Sequence, residues 1–311
     1  MPHPQSIAII GAGIAGLSAS KTLAESGHIV TLIDKSRGLG GRMATKRVGD
    51  LTFDHGAQYF TAHTDHFKEI LESAIKAGFA AKWELNRYVG VPGMSSFARF
   101  LAGQRDVRFD TAVEALTRTS NHWSLRDING KHHDGFDAVI LSLPSPQISA
   151  ILKNSNIELE GIDQIHYSPC WALMLAFDEA VDFLEQALSS DDPIIAWIAK
   201  NSTKPTRTST SETFVVHATP QWSADHLELD ANIIAKMLLS RFSELMQIKA
   251  NPSIILAHRW RYARVTKPLG RPFLWDKNIN LGACGDWAMG SRIEDAFNSG
   301  NMLARACFNE D

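Results

Sequence analysis

The sequence predicts an α/β fold in which a parallel sheet is assembled from both ends of the chain and an α+β segment is inserted between them. Three observations predict it. A strand, a glycine turn, a helix and a second strand follow one another over residues 7–34; a buried strand reads at 137–143; and a last short strand at 278–283 precedes a helix near the C-terminus.

Taken in order, residues 7–10 are a short apolar run ending in glycines, as a buried parallel strand requires. Residues 14–26 carry helical spacing, with Leu17, Ser20, Leu23 and Ala24 on one face and Gly27 as the C-terminal cap. Residues 28–34 read as a strand again, and right-handed crossover makes the two strands parallel neighbours. Helical periodicity returns at 65–77. The run 137–143 (DAVILSL) reads as a buried strand stopped by Pro144 and Pro146. Residues 171–177 and 213–218 are β-prone, 231–246 has the pattern of an amphipathic helix, and 201–211 is polar and reads as a loop. After the strand at 278–283 a helix is expected over about 292–307. If that strand joins the first sheet, the nucleotide domain is discontinuous, comprising 1–64, 97–150 and 276–311. Residues 65–96 and 151–275 are then left for a substrate domain.

A chain of 311 residues has room for about two domains. With 44% hydrophobic and 21% charged residues it can build their cores and wet their surfaces. Net charge is −3 with both signs scattered, which leaves no electrostatic footprint for nucleic acid or an anionic membrane and points to small-molecule partners. Cys170, Cys284 and Cys307 lie far apart with no metal-binding spacing, so no metal is expected and a reducing, cytoplasmic compartment fits. The apolar run at 7–17 lacks the preceding positive charges of a secretory signal, and no stretch reaches the ~18 apolar residues of a membrane span.

The chemistry starts at the glycine turn. Gly11 permits the tight exit from the strand, Gly13 lets backbone approach a pyrophosphate, and Gly16 allows helix to pack on strand. The helix opening at Ile14 and Ala15 offers unpaired N–H groups to phosphates. Asp34, at the end of the next strand, is placed to accept the hydroxyls of an adenosine ribose. The chain then continues Lys35-Ser36-Arg37-Gly38-Leu39-Gly40-Gly41-Arg42, a second glycine turn that can wrap the pyrophosphate, with Arg42 or Arg37 neutralising it and Lys35 beside them. The bland alternative is a basic surface loop. A third strand–glycine–acid–helix piece, Gly285-Asp286 followed by Ile293 and Ala296, can present a carboxylate to a ribityl or ribose hydroxyl and a helix N-terminus to the flavin pyrimidine edge. Three such pieces argue for FAD, noncovalently bound, over NAD. The fold class is thus a Rossmann-like FAD-binding domain with an inserted α+β substrate domain, and Val113 and the turn His55-Gly56-Ala57 are assigned to the cofactor as well.

With these residues the chain resembles the FAD-dependent amine oxidase superfamily and, within it, the bacterial renalases. The superfamily features are the GAGIAG loop, Asp34, Gly40-Gly41-Arg42 and Gly285-Asp286. The narrower resemblance rests on SRGLGGRM at 36–43, DHGAQYF at 54–60, VPGMSS at 91–96, HATPQWS at 217–223, AHRWRYAR at 257–264 and CGDW at 284–287. It covers almost the whole chain. One departure is the short stretch between Trp83 and Pro92, where related bacterial sequences carry a longer insertion, which puts substrate selectivity in question. The resemblance implies a flavin oxidase that takes hydride from 2- or 6-dihydro isomers of NAD(P), so that a dihydronicotinamide dinucleotide and O2 are the reacting partners and NAD(P)+ and H2O2 the products.

Substrate contacts are sought in two segments. Extended backbone sends alternate residues to opposite sides, so Gln58, Tyr59, Phe60 and Thr61 are expected to divide between ligand and core; the bland alternative is an aromatic core turn. Along 256–263, His258, Trp260 and Tyr262 share one strand face and Arg259 and Arg261 the other, giving a face that can stack a planar ring. His258 and Tyr59 are the candidate catalytic residues. Met94, Ser95, Trp171, Trp197, Trp287 and Arg292 complete the expected substrate set, although packing alone also accounts for most tryptophans. Two other readings stay open, a true amine oxidase acting on a polyamine or aryl amine and a non-catalytic flavin-binding protein.

Overall fold

A computed structural model describes residues 3–119, 122–183, 185–207 and 209–308. Ser6–Ile10 lies at the centre of a six-stranded sheet, parallel to Ile29–Ile33 on one side and to Ala138–Leu141 on the other. Val107–Arg108 extends one edge. At the other, Leu281–Ala283 pairs in parallel with Ala138–Leu141, and Leu274–Asp276 closes the edge antiparallel to it. The sheet therefore draws strands from both ends of the chain, and its last edge strand starts just before residue 276.

The helix Ile14–Glu25 is buried on all sides through Ser20, because it is sandwiched between this sheet and the C-terminal helix Ile293–Phe308. Gly300 makes that packing possible, since a Cβ there would fall 2.0 Å from the Ala15 carbonyl oxygen. Ala24, expected on the buried face, is exposed; the last buried contacts come instead from Leu23 and from Thr22, whose hydroxyl accepts from Asn301 Nδ2 at 2.7 Å. The prolines after the strand at Ala138–Leu141 do more than stop it. Pro144 caps the helix Ser145–Ser155 and Pro146 occupies its first turn, where a missing N–H costs nothing.

The middle of the chain forms a five-stranded antiparallel sheet in the order Ala187–Ser189, Ile195–Lys200, Glu212–Ala218, His166–Phe177, Ile254–Lys267. One face is an apolar layer: Trp171, Leu173, Leu175, Val216 and Ile198 pack with Ile234, Leu238 and Phe242 of the helix Ala231–Met246. On the opposite face, Val215, Met174 and Leu256 pack under Phe53 of the hairpin Lys46–Val48/Leu51–Phe53. The next row on that face runs Trp197, His217, Ala172, His258 across four strands, each residue directly paired with the next. Cross-strand pairing thus lines up an indole and two imidazoles that lie far apart in sequence. The polar stretch 201–211 differs from the loop expected there: after a single 3-10 turn at Asn201–Thr203, Asn201, Lys204 and Arg207 are buried. Among the described residues no helix is long and apolar enough to cross a membrane.

Candidate functional site

The glycine turn is shaped by close backbone approach. A Cβ on Gly11, at φ +108°, would lie 2.2 Å from Ser142 O, and one on Gly16 would lie 2.1 Å from Gly11 O. Nothing stands within 4 Å of the position a Gly13 Cβ would take, so that side of the turn is open. The helix then starts at Ile14 and Ala15 with no side-chain cap and no acidic residue in its first turn, which leaves its N–H groups for a ligand. Asp34 braces the turn from below: one carboxylate oxygen accepts from Ala12 N and the other from Ser36 N, both at 2.7 Å. Each oxygen keeps a lone pair for a hydroxyl. Gly40 N donates to Ala12 O at 2.9 Å, bringing Gly41 against Gly13, and Thr111 N donates to Asp34 O at 3.0 Å, which sets the half-buried Val113 nearby. Lys35 and Arg37 are exposed, and Lys35 donates to Gln147 Oε1 at 3.1 Å.

Two residues expected to meet the cofactor separately meet each other. Arg42 makes a two-pronged contact with the carboxylate of Asp286, at 2.8 and 2.7 Å, so the second glycine turn is tied to the C-terminal Gly285-Asp286 segment. Burial opposes the Arg42 charge, but the adjacent Asp286 carboxylate outweighs it and holds the guanidinium protonated. Beside them burial pushes the Tyr167 phenol up to about 12. In the first turn of Ile293–Phe308, Ile293 and Ala296 pack on the core of the first sheet, while Glu294 accepts from Thr64 N at 2.6 Å and Thr64 Oγ1 at 2.7 Å. Arg292 is exposed, its N–H donating to Asp295.

The turn His55-Gly56-Ala57 sits between the two sheets. Gly56 has no room for a side chain, a Cβ there falling 2.0 Å from Arg42 O, and Ala57 N donates to Arg42 O at 2.9 Å. The His55 carbonyl accepts from Trp260 Nε1 at 2.9 Å and from His217 Nε2 at 3.3 Å. Around it the rings close up: His55 stacks on Trp260 at 5.1 Å and meets His258 edge-on at 4.7 Å, while His258 and Trp260 are 4.4 Å apart. Burial pushes His55 and His217 down to about 4 and lowers His258, so all three imidazoles are neutral at pH 7. His55 Nδ1 is buried without a partner, as is Trp197 Nε1, and such orphans point to an absent ligand. An open glycine turn with free helix N–H groups and an orphan imidazole nitrogen beside a side-chain-free turn fit a flavin dinucleotide.

The expected substrate residues separate into two groups. His258 packs with Trp260, and Tyr59 with Trp197 at 5.8 Å, Arg87 being laid over both of the latter rings; Trp197 and His258 share one sheet face. Arg87 comes from the hairpin Ala80–Glu84/Arg87–Gly90, whose short tip, within the stretch flagged for its brevity, pairs it with Glu84 at 2.9 Å. Thr61 is half-buried and within 3.0 Å of His63. Packing places the others elsewhere. Phe60 is a core residue among Phe67, Tyr88 and Phe97. Met94 is fully buried, its N–H bound to Asp54 at 3.0 Å, and Ser95 N donates to Thr45. Trp171 pairs with Arg259 and so occupies the sheet face opposite His258, with its indole N–H on His226 O. Trp287 lies under the first sheet with its N–H on Leu143 O. Gln58 is buried in a network with Asp54 and Lys204.

That network is what the sequence conceals. Asp54 accepts from Thr45 Oγ1 at 2.8 Å, Met94 N at 3.0 Å, Arg207 Nη2 at 2.6 Å and Lys204 Nζ at 3.4 Å, with all three charged side chains essentially inaccessible. His217 carries no sequence signal of its own beyond strand alternation with the buried Val216.

A parallel sheet with an open glycine turn, joined to an antiparallel sheet that offers an aromatic row, is the framework of a dinucleotide-binding protein. Comparison with known proteins makes that narrower. Residues 9–74 match the NAD(P)-binding Rossmann-like domain, and residues 72–307 match the family described as flavin containing amine oxidoreductase. The chain belongs to the flavin-containing amine oxidoreductase family. Its cofactor is accordingly a flavin, as the dinucleotide FAD. Among curated relatives, it is 35% identical over 86 residues to a 4-hydroxybenzoate brominase (decarboxylating) of Pseudoalteromonas luteoviolacea (strain 2ta16), covering 28% of this chain and 16% of that one. It is 39% identical over 70 residues to a 4,4'-diapophytoene desaturase of Staphylococcus haemolyticus (strain JCSC1435), covering 22% and 14%. The matched segments thus span only a small part of those relatives. Solved structures share the fold across the chain: cyclohexylamine oxidase from Brevibacterium oxydans IH-35A (TM-score 0.74, 12% identity, 98% of each chain) and putrescine oxidase bound to putrescine (TM-score 0.67, 12% identity, 97% and 98%).

Proposed function

We propose that the chain is a renalase-like oxidase that takes hydride from the 2- or 6-dihydro isomers of NAD(P) and passes the electrons to O2. The substrate loses a hydride and leaves as NAD(P)+; O2 gains that hydride and one proton and leaves as H2O2. Bound FAD supplies the hydride acceptor. The observation that carries this reading is the row Trp197–His217–His258, with Trp260 beside it on the same sheet face and His55 packed against it, which offers flat aromatic walls and neutral imidazoles. A dihydropyridine becomes aromatic on losing hydride, so it needs no strong base, and most of the task is to hold a planar ring in place. His258 and Tyr59 are the residues proposed to touch that ring.

The family description favours a second reading, oxidation of an amine. Charge argues against a polyamine. The buried carboxylates among the described residues, Asp34, Asp54, Asp127, Asp286 and Glu294, are each already bonded to cations or to N–H and O–H donors. Nor do Tyr59, Trp260 and Trp287 share one pocket wall, because Trp287 is in another core. The test is a product assay in air: 2-dihydro-NAD, 6-dihydro-NAD or both should yield NAD+ and H2O2 in equal amounts, while putrescine and cyclohexylamine yield neither. Aldehyde or ketone formation from an amine, without turnover of either isomer, would select the second reading.

A further inference from the structure

The cluster around Asp54 holds one more charge than it needs. Arg207 at 2.6 Å already neutralises the carboxylate, and Thr45 and Met94 occupy its other oxygen. Lys204, with a side chain wholly inaccessible to solvent, adds a second cation at the longer distance of 3.4 Å. Burying an ammonium that the local charge balance does not require is costly. What Lys204 adds is a bond to Gln58: its Nζ lies 3.2 Å from Gln58 Oε1. The Gln58 amide nitrogen donates back to the carbonyls of Asp54 and Gly56, the latter at 3.0 Å, and so closes the turn. An ammonium has donors only. It can face only the amide oxygen, which fixes the amide with its nitrogen toward the two carbonyls. The turn closed in this way carries His55, whose carbonyl is held by Trp260 and His217, and Gly56, which lies against Arg42 O.

We propose that Lys204 is a positioning residue for the flavin-facing turn Asp54–Gln58, acting through the side-chain amide of Gln58. This rests on the reading that Gly56 and Ala57 lie against the flavin, and it holds for either substrate class. Besides Asp54 and Arg207, the titratable group facing Lys204 is His217, and the Trp83 ring lies 5.2 Å from its Nζ. Burial brings Lys204 down to about 8 despite the pull of Asp54, so the lock opens on the alkaline side.

The test uses FAD-loaded protein and the visible circular dichroism of its flavin, followed across pH, together with flavin reduction kinetics. Lys204→Met should keep FAD at full stoichiometry, change the flavin dichroism, and slow reduction between about ten- and a hundredfold with little change in substrate affinity, as a misplaced reacting face does. The native protein should show a spectral step near pH 8, and Lys204→Arg should restore most of the rate and remove that step. Gln58→Met should reproduce Lys204→Met, and the double variant should be no worse than either single one. Ala57→Val serves as the control for the turn's place. If it perturbs the flavin spectrum while Lys204→Met changes neither spectrum nor pH profile, the proposal is overturned. If Ala57→Val also has no effect, the turn does not lie against the flavin, and the proposal falls with that reading. Should Lys204→Met fail to fold, Gln58→Met decides: unchanged flavin dichroism and an unchanged reduction rate overturn the proposal.

Discussion

At the glycine turn a ligand would meet backbone; at the row Trp197–His217–His258 it would meet side chains. The first is a local device. Gly11, Gly13 and Gly16 lie within one six-residue turn, and each is required by a specific close approach or opening. The second exists only through the register of four strands drawn from residues 166–267. In the proposed assignment, affinity for the dinucleotide and selection of the substrate therefore belong to separable parts of the chain, joined at the turn His55-Gly56-Ala57.

The largest separation of the two should come from Gly13→Val. Its backbone, at φ −77°, accepts any L-residue, and the added side chain meets no protein atom at Cβ. The apoprotein should therefore unfold within about 0.5 kcal/mol of the native chain, yet be colourless after FAD reconstitution; yellow protein at full stoichiometry would remove the phosphate assignment. Arg42→Met should come next, because it leaves the nearly buried Asp286 carboxylate without its partner. A loss of about 2 kcal/mol in denaturant unfolding is expected, with weaker FAD retention measured by ultrafiltration. On the substrate side, His258→Ala should keep FAD but lower the rate of anaerobic flavin reduction by roughly ten- to a hundredfold, on the scale of a lost positioning contact. Unchanged kinetics would take His258 out of the site.

A smaller effect is expected from pH. Burial depresses His55 and His217 from 6.5 to about 4 in the folded chain. The unfolded chain therefore binds more protons between those values, so stability present above about pH 6.5 is lost as pH falls toward 4. Thermal melts of His217→Gln should show a shallower decline over that window. The smallest effect belongs to Glu228→Ala, which removes the exposed partner of Arg259 and Arg261 on the far side of the strand from His258. Neither melting temperature nor flavin reduction should change measurably.

The sequence carried the parts of the fold that repeat over short windows. The strands and helices of the first nucleotide-binding unit, the strand at 138–141 and the helix Ala231–Met246 are all visible as apolar period and glycine placement. So was the strand face shared by His258 and Trp260. What it hid depends on distant partners. Gln58 looks like a neighbour of a ligand, but Lys204, from a stretch that reads as a solvated loop, binds it in the interior beside Asp54 and Arg207. Trp171 and Trp287 look like cavity walls until sheet register and core packing send them elsewhere. Arg42 and Asp286, read as two separate cofactor ligands, form one ion pair across the chain ends. Composition cannot distinguish these outcomes, because each is decided by which face of which strand a residue joins.

The most direct test of the account is anaerobic single-turnover reduction of the bound flavin, followed by absorbance, with 2-dihydro-NAD, 6-dihydro-NAD, NADH and putrescine compared at equal concentration. The account predicts rapid bleaching by one or both of the first two and slow or absent bleaching by the others. Bleaching by putrescine alone, or by none of the four, would contradict it.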